Sequence, residues 1–253
     1  MRDVKMDKVN IMDLDVDVIN HEKLSELIQQ YCQEESVHSV LMLTDEVLEK
    51  AAGDEEYHEI ISTFSMCLPA EDEVLVDCHL DFLKSREILT DYHSFYTILQ
   101  CLEKEEKTVY LVGSDLKQME LFQLFCEQSY AKLKIVGSCY KDNSMKDEII
   151  VNDINTVLPD VVIIAMKSPE QEKWMVEQGQ KLGTKLCIGT GSAFTNIISC
   201  CDRNKKRMQK WKIYRQLEYI KRSIQKFWHR RIIRNEYEYY IYKRKKSHLK
   251  KQV

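Results

Sequence analysis

Short apolar runs alternate with stretches whose apolar positions recur every three or four residues, most regularly in the second half of the chain. Thr108 to Ser114 (TVYLVGS) reads as a strand, and Met119, Leu121, Phe122, Leu124 and Phe125 then follow at helical spacing. The unit recurs as Lys132 to Ser138 (KLKIVGS) before a polar helix, as Asp160 to Met166 (DVVIIAM) before SPEQEKWMVEQGQKL, and as Lys185 to Gly191 (KLCIGTG). Repeated strand–helix units predict an α/β fold with a Rossmann-like parallel sheet flanked by helices. The first half is less regular. Val9 to Met12 predicts a strand, Asn20 a cap for a helix to about Cys32, and Ser39 to Leu43 a strand entering a helix over TDEVLEKA. Helical patterning predicts further helices from Tyr57 to Cys67 and from Tyr92 to Leu102.

At Ser168 a proline and a run of polar side chains follow the apolar strand directly. Ser168-x-x-Gln171 has the spacing of a capping box with Pro169 at the first helical position, which predicts a sharp helix start. This turn lies at the carboxyl end of a predicted parallel strand, where open α/β sheets place ligands and where free amides can face an anion.

Composition narrows the class. With 253 residues and 44% hydrophobic content the chain can bury one core. No run approaches the roughly 20 apolar residues of a membrane span, and the N-terminal MRDVKMDKVN has no apolar signal core, so a cytoplasmic location is expected. The nine cysteines are odd in number and form no C-x-x-C pair, which argues against a disulfide framework or a zinc ribbon. The seven histidines show no ligand spacing, so neither a metal nor a cofactor is expected. The net charge of −4 hides an asymmetry: from Asp202 to Val253 there are 19 Lys or Arg against 4 Asp or Glu, leaving 18 basic and 37 acidic residues before them. In that tail Trp211, Tyr214, Leu217, Ile220, Ile224, Phe227 and Trp228 recur at helical spacing between Arg215, Lys221, Arg222, Lys226 and Arg230. This predicts a basic amphipathic helical appendage, suited to packing on the body or to an anionic membrane surface.

Several segments, in order, resemble the WecG/TagA/CpsF family of glycosyltransferases, which move N-acetylmannosamine or related sugars onto lipid carriers. SPEQEKWM is similar to the family's P-K-Q-E-x-W signature, VYLVGS and KLKIVGS to its successive strand and loop segments, and IGTGSAF (Ile188 to Phe194) to its glycine-rich motif. Arg86 and Asp91 are spaced like the Arg and Asp of R-V-T-G-x-D, LTDEVLEKA resembles the T-x-N segment, and Arg203 falls near the R-A-P arginine. Leu217 to Arg231 is similar to the C-terminal L-E-W-x-x-R-L pattern with its arginine cluster. The resemblance covers most of the chain. It implies an α/β N-terminal lobe over 1–106, a Rossmann-like nucleotide-binding half over 107–200 and the basic helical tail over 201–253.

The function so implied is inverting transfer of an N-acetylhexosamine from a UDP-sugar to a polyprenyl-diphosphate-linked acceptor, at the inner face of the cell membrane, in surface polysaccharide or wall polymer synthesis. Arg86, Gln171, Glu172, Gly189 and Gly191 would hold the nucleotide sugar, and Arg222 would neutralise the departing diphosphate. Where the resemblance places an aspartate as general base, this chain has Ala70, so a relocated carboxylate is sought among Glu71, Asp72 and Asp45, the last beside the matching Thr44. Glycines are also replaced at Leu89, Met166, Lys167 and Ser192, and Thr195 stands for an aspartate. A second reading follows: a family member that keeps the fold as a nucleotide-sugar binding or scaffolding subunit at the membrane. Nucleic acid is not an expected partner, because the acidic body would repel a phosphate backbone; a homo-oligomer is compatible with the sequence, which leaves the number of copies open.

Overall fold

The computed structural model describes residues 7–70, 72–75, 89, 93–142, 145–191 and 194. All lie in the first of two units into which the chain divides, Met1–Arg203; the predicted tail helix falls in the second, Asn204–Val253, outside the described residues.

The chain begins with a hairpin. Strands β1 (Asp7–Ile11) and β2 (Leu14–Val18) pair antiparallel through Met12 and Asp13, both at positive φ (50° and 65°). Two consecutive positive φ values belong to the tight turn whose twist matches that of the flanking strands. Helix α1 (His21–Tyr31) follows, its first turn closed by Asn20, whose side chain accepts from the Lys23 N–H at 3.0 Å. Next come β3 (His38–Leu43), α2 (Asp45–Gly53), α3 (Glu55–Ser62) and β4 (Met66–Pro69), then a short 3₁₀ turn over Asp72–Leu75. The second half runs α4 (His93–Lys104), β5 (Thr108–Gly113), α5 (Leu116–Ser129), β6 (Lys134–Tyr140), α6 (Asp147–Val157), β7 (Val161–Ala165), α7 (Glu170–Gln178) and β8 (Leu186–Gly189).

Among the described residues six strands form one parallel sheet in the order β4-β3-β8-β7-β5-β6. It takes strands from both sides of residue 106, because β8, the last in sequence, inserts between β3 and β7. The expected α/β fold with a Rossmann-like parallel sheet flanked by helices is what the chain adopts. Two strands were not predicted. β2 was not separated from the run before it, and β4 occupies the end of the helix expected over Tyr57 to Cys67, which stops at Ser62. Four residues, MCLP, carry no β-branched side chain and too short a pattern to reveal the strand; pairing with β3 on one side and the Cys67 N–H bond to the Asp17 side chain decide it.

Apart from the edge strand β6, whose residues are exposed or half-buried, the strands are buried on both faces, as a covered parallel sheet requires. On one side Leu41, Leu43, Tyr110, Val112, Val162, Ile164 and Cys187 pack with β2 and with α2, α3, α6 and α7. Alternate residues of the same strands, among them Val40, Met42, Leu111, Ile163 and Ile188, are equally buried and point the other way. There α1 lies on α4, and Phe122 of α5 stacks against Phe95 of α4 at 6.1 Å and Phe194 at 4.8 Å. At the amino edge Asp160 accepts from the Thr108 N–H (2.9 Å) and hydroxyl (2.7 Å), which aligns β7 with β5. Burial tends to raise this carboxyl, but the two Thr108 bonds together with the charge and hydrogen bond of Lys107 outweigh it and hold it below its ordinary value. Among the described residues no helix is long and apolar enough to cross a membrane.

Candidate functional site

All six strands of a parallel sheet end on one side, so the residues just after β3, β4, β8 and β7 meet there whatever their distance in sequence. Four of the segments singled out by sequence reach that edge.

The first is Thr44-Asp45. Thr44 follows β3, is 7% exposed, and caps α2 by accepting from the Val47 N–H at 3.3 Å. Asp45 is the first residue of α2, where an acid complements the positive end of the helix dipole. The second is the end of β4, where the Ala70 N–H bonds Leu43 O at 2.6 Å and the residue is fully buried. A methyl group with no acid–base capacity therefore occupies the point at which the resemblance places the base.

The third is Gly189-Thr190-Gly191. A β-carbon at Gly189 would lie 2.9 Å from Gln171 Nε2 and 2.8 Å from Met175 Sδ, so the missing side chain makes room for those of α7. Gly191 has φ +52°, and a β-carbon there would meet Met42 O at 2.9 Å and Thr44 Cγ2 at 3.4 Å. Both requirements favour glycine, one conformational and one steric. Between them Thr190, fully buried, bonds Ile164 O through its N–H at 3.1 Å and its hydroxyl at 3.0 Å, tying β8 to β7.

The fourth is the turn into α7. Gln171 and Glu172 are fully buried, and Glu172 Oε1 accepts from Gln171 Nε2 at 3.0 Å and from the Ser168 hydroxyl at 2.8 Å. The expected capping box does not form. The Gln171 N–H is taken by Lys167 O at 2.9 Å, and the Ser168 hydroxyl goes to a carboxylate, a stronger acceptor for it. Pro169, joined to Ser168 by a cis peptide bond, precedes the helix instead of opening it. With that amide occupied and Glu170 and Glu172 in the first turn, the Gln171 N–H is not free to face an anion.

Two further groups belong to the cluster. Lys50 of α2 donates to Ser168 O at 3.1 Å while paired with Glu46 at 2.7 Å, joining α2 to the α7 turn. Tyr57 of α3 is 2% exposed, and its phenol is held well above its ordinary pKa, first by burial and then by the adjacent Glu172 charge. Neither was anticipated: in sequence Lys50 is one charge on an exposed helix face, and Tyr57 is one member of an apolar stripe. Glu71, Arg86, Asp91, Arg203 and Arg222 lie outside the described residues, as does the side chain of Asp72.

Comparison with known proteins finds relatives over most of the chain. Relatives include the N-acetylglucosaminyldiphosphoundecaprenol N-acetyl-beta-D-mannosaminyltransferase of Bacillus subtilis (strain 168), 26% identical over 184 residues, 72% of this chain and 70% of the relative. Proteins of the same description from Staphylococcus aureus strains MRSA252 and NCTC 8325 / PS 47 are 23% and 22% identical over 189 residues, 74% of each chain. The family model for the glycosyl transferase WecG/TagA/CpsF family matches residues 9–251, so the segments gathered at the sheet edge and the tail fall within one match, and the chain belongs to that family of glycosyltransferases.

Proposed function

We propose that the chain transfers an N-acetylhexosamine, of the N-acetylmannosamine type, from a UDP-sugar to a sugar carried on a polyprenyl diphosphate, in surface polysaccharide or wall polymer synthesis. The observation that carries this reading is the convergence of Thr44, Gly189, Gly191, Gln171 and Glu172 at one sheet edge from three separated segments. The curated relatives, whose descriptions name such an acceptor and such a transferred sugar, support the substrate classes.

In an inverting displacement the acceptor hydroxyl oxygen attacks the anomeric carbon. The bond from that carbon to the β-phosphate oxygen breaks, UDP leaves with the electron pair, and a base takes the hydroxyl proton. Ala70 cannot be that base; the carboxylates assigned to it are Asp45, which opens α2 after β3, and Glu71 and Asp72, which follow Ala70 in sequence. Arg86 and Gln171 hold the donor, and Arg222 offsets charge on departing UDP. The basic tail over 201–253 attracts the chain to an anionic inner leaflet, each Lys or Arg near the surface contributing about 1 kcal/mol.

The test is release of UDP from UDP-N-acetylmannosamine in the presence of an N-acetylglucosaminyl-diphosphate-polyprenol acceptor. Acceptor-dependent release is expected, and loss of at least a hundredfold in the Asp45→Asn, Glu71→Gln, Asp72→Asn triple variant, since positioned acid–base groups contribute roughly 10²–10⁴-fold. Transfer surviving the triple replacement rejects the base assignment. Donor binding without release would mark a nucleotide-sugar binding subunit.

A further inference from the structure

We propose that Glu172 is a positioning residue that locks the Gln171 amide with its carbonyl oxygen free, so that Gln171 recognises an N–H or O–H of the nucleotide sugar and not its phosphates. This rests on the UDP-sugar reading given above.

The geometry leaves the amide one orientation. A carboxylate has only acceptors to offer, so the group facing Glu172 Oε1 at 3.0 Å is the Gln171 NH₂. The same nitrogen sits over Gly189, where a β-carbon would displace it. Gln171 Oε1 then points away from Glu172 and has no hydrogen-bond partner among the described residues. An amide oxygen attracts donors and is repelled by phosphate oxygens. On a UDP-sugar the available donors are the uracil imide, ribose and sugar hydroxyls, and an acetamido N–H.

The carboxylate is held in turn. The Ser168 hydroxyl reaches Glu172 Oε1 at 2.8 Å, on the same oxygen that receives the amide, and Lys50 holds the Ser168 carbonyl at 3.1 Å. Glu172 Oε2 and the Tyr57 hydroxyl are both buried without a partner among the described residues, where α3 packs on α7. A phenol that retains its proton is a donor aimed at a carboxylate, so a small adjustment closes that pair as well. Fully buried polar side chains are seldom left with a spare acceptor, so an orphaned one marks a place for a water molecule or a ligand group. Once Tyr57 faces Glu172, the spare acceptor is Gln171 Oε1, near the carboxyl edge of the sheet.

The experiment is calorimetric titration of the full chain with UDP, UDP-glucose and UDP-N-acetylmannosamine, and with uridine alongside, with melting temperature recorded for each variant. Gln171→Ala is expected to weaken binding roughly tenfold, the scale of one buried hydrogen bond. Loss with all three UDP ligands and equally with uridine assigns the contact to the nucleoside, loss with both sugars to a hydroxyl, and loss with the last alone to the acetamido group; loss with all three but not with uridine places the contact on a phosphate and overturns the proposal. Glu172→Ala is expected to weaken the same ligands by the same factor, and the double variant to bind no worse than Gln171→Ala. Tyr57→Phe, which keeps the ring, is expected to cost about threefold and nothing in the Gln171→Ala background, and it carries the test if Glu172→Ala does not fold. Full additivity of Glu172→Ala or Tyr57→Phe with Gln171→Ala overturns the proposal, since a residue acting through Gln171 has no effect without it. Unchanged binding in Gln171→Ala overturns it too. Failure of the wild-type chain to bind any of the three rejects the UDP-sugar reading and the proposal together.

Discussion

Replacing Gly191 by alanine tests whether the loop after β8 is built as described. The residue sits at φ +52°, and a left-handed conformation costs an alanine roughly 1–2 kcal/mol relative to glycine. The new methyl would also stand 2.9 Å from Met42 O, inside normal contact, and that oxygen belongs to the backbone of β3, hydrogen-bonded between β4 and β8. Backbone inside a sheet yields less easily than a side chain, and overpacking of this kind costs about 1–3 kcal/mol. The two effects together predict a loss of about 2–5 kcal/mol. Urea unfolding of the full chain, followed by tryptophan fluorescence, measures it as a fall in midpoint at unchanged slope. Gly53 is the control: it ends α2 without positive φ, nothing lies within 4 Å of a β-carbon there, and Gly53→Ala should stabilise by about 0.5–1 kcal/mol. A Gly191→Ala variant within 0.5 kcal/mol of wild type would show that the loop does not adopt this geometry. The methyl also lies 3.4 Å from Thr44 Cγ2, so donor affinity should fall with stability.

Two further outcomes are expected. Asp17 of β2 is 1% exposed and accepts from the Cys67 N–H at 2.8 Å; burial, opposed by that bond and by Lys8 and reinforced by Asp15, holds its carboxyl above the ordinary value. The folded chain therefore holds this proton more tightly than the unfolded chain, whose aspartate titrates near pH 4. Asp17→Asn should gain melting temperature over wild type as pH rises from about 4 through the folded value, and the opposite slope across that window would contradict the burial argument. Burial also pushes the Cys32, Cys67 and Cys187 thiols up to about 12, whereas Cys139 is only half-buried. Brief alkylation of the native chain at pH 8, mapped by mass spectrometry, should modify Cys139 ahead of those three; Cys187 labelling at the rate of Cys139 would refute the placement of β8 at the sheet centre.

Sequence periodicity sufficed wherever an element's own residues carry its signal. The runs TVYLVGS and DVVIIAM are apolar throughout because strands in the middle of a parallel sheet are covered on both faces, and Asn20 names a helix start through its own side chain. β4 had no such signal. Its four residues become a strand only because β3 supplies the ladder and Asp17, 50 positions earlier, takes the Cys67 N–H. The same division holds at the candidate site. The ordered motifs named the glycines, Thr44 and the Gln171-Glu172 pair, since residue type at fixed spacing survives in a single chain.

What those residues do to one another was not written in any motif. Ser168 has the spacing of a cap, yet its hydroxyl turns to Glu172 because the Gln171 amide is already satisfied by Lys167. Tyr57 and Lys50 enter the cluster from other helices, and the orientation of the Gln171 amide follows from the carboxylate beside it. By itself the sequence determined the elements, the α/β class and the residues of interest, because those depend on local spacing and side-chain type. Only the tertiary structure decided strand order, the partners of buried polar atoms and the direction in which Gln171 points. These depend on which groups folding brings within 3 Å of one another, and a buried donor or acceptor takes whatever partner that packing supplies.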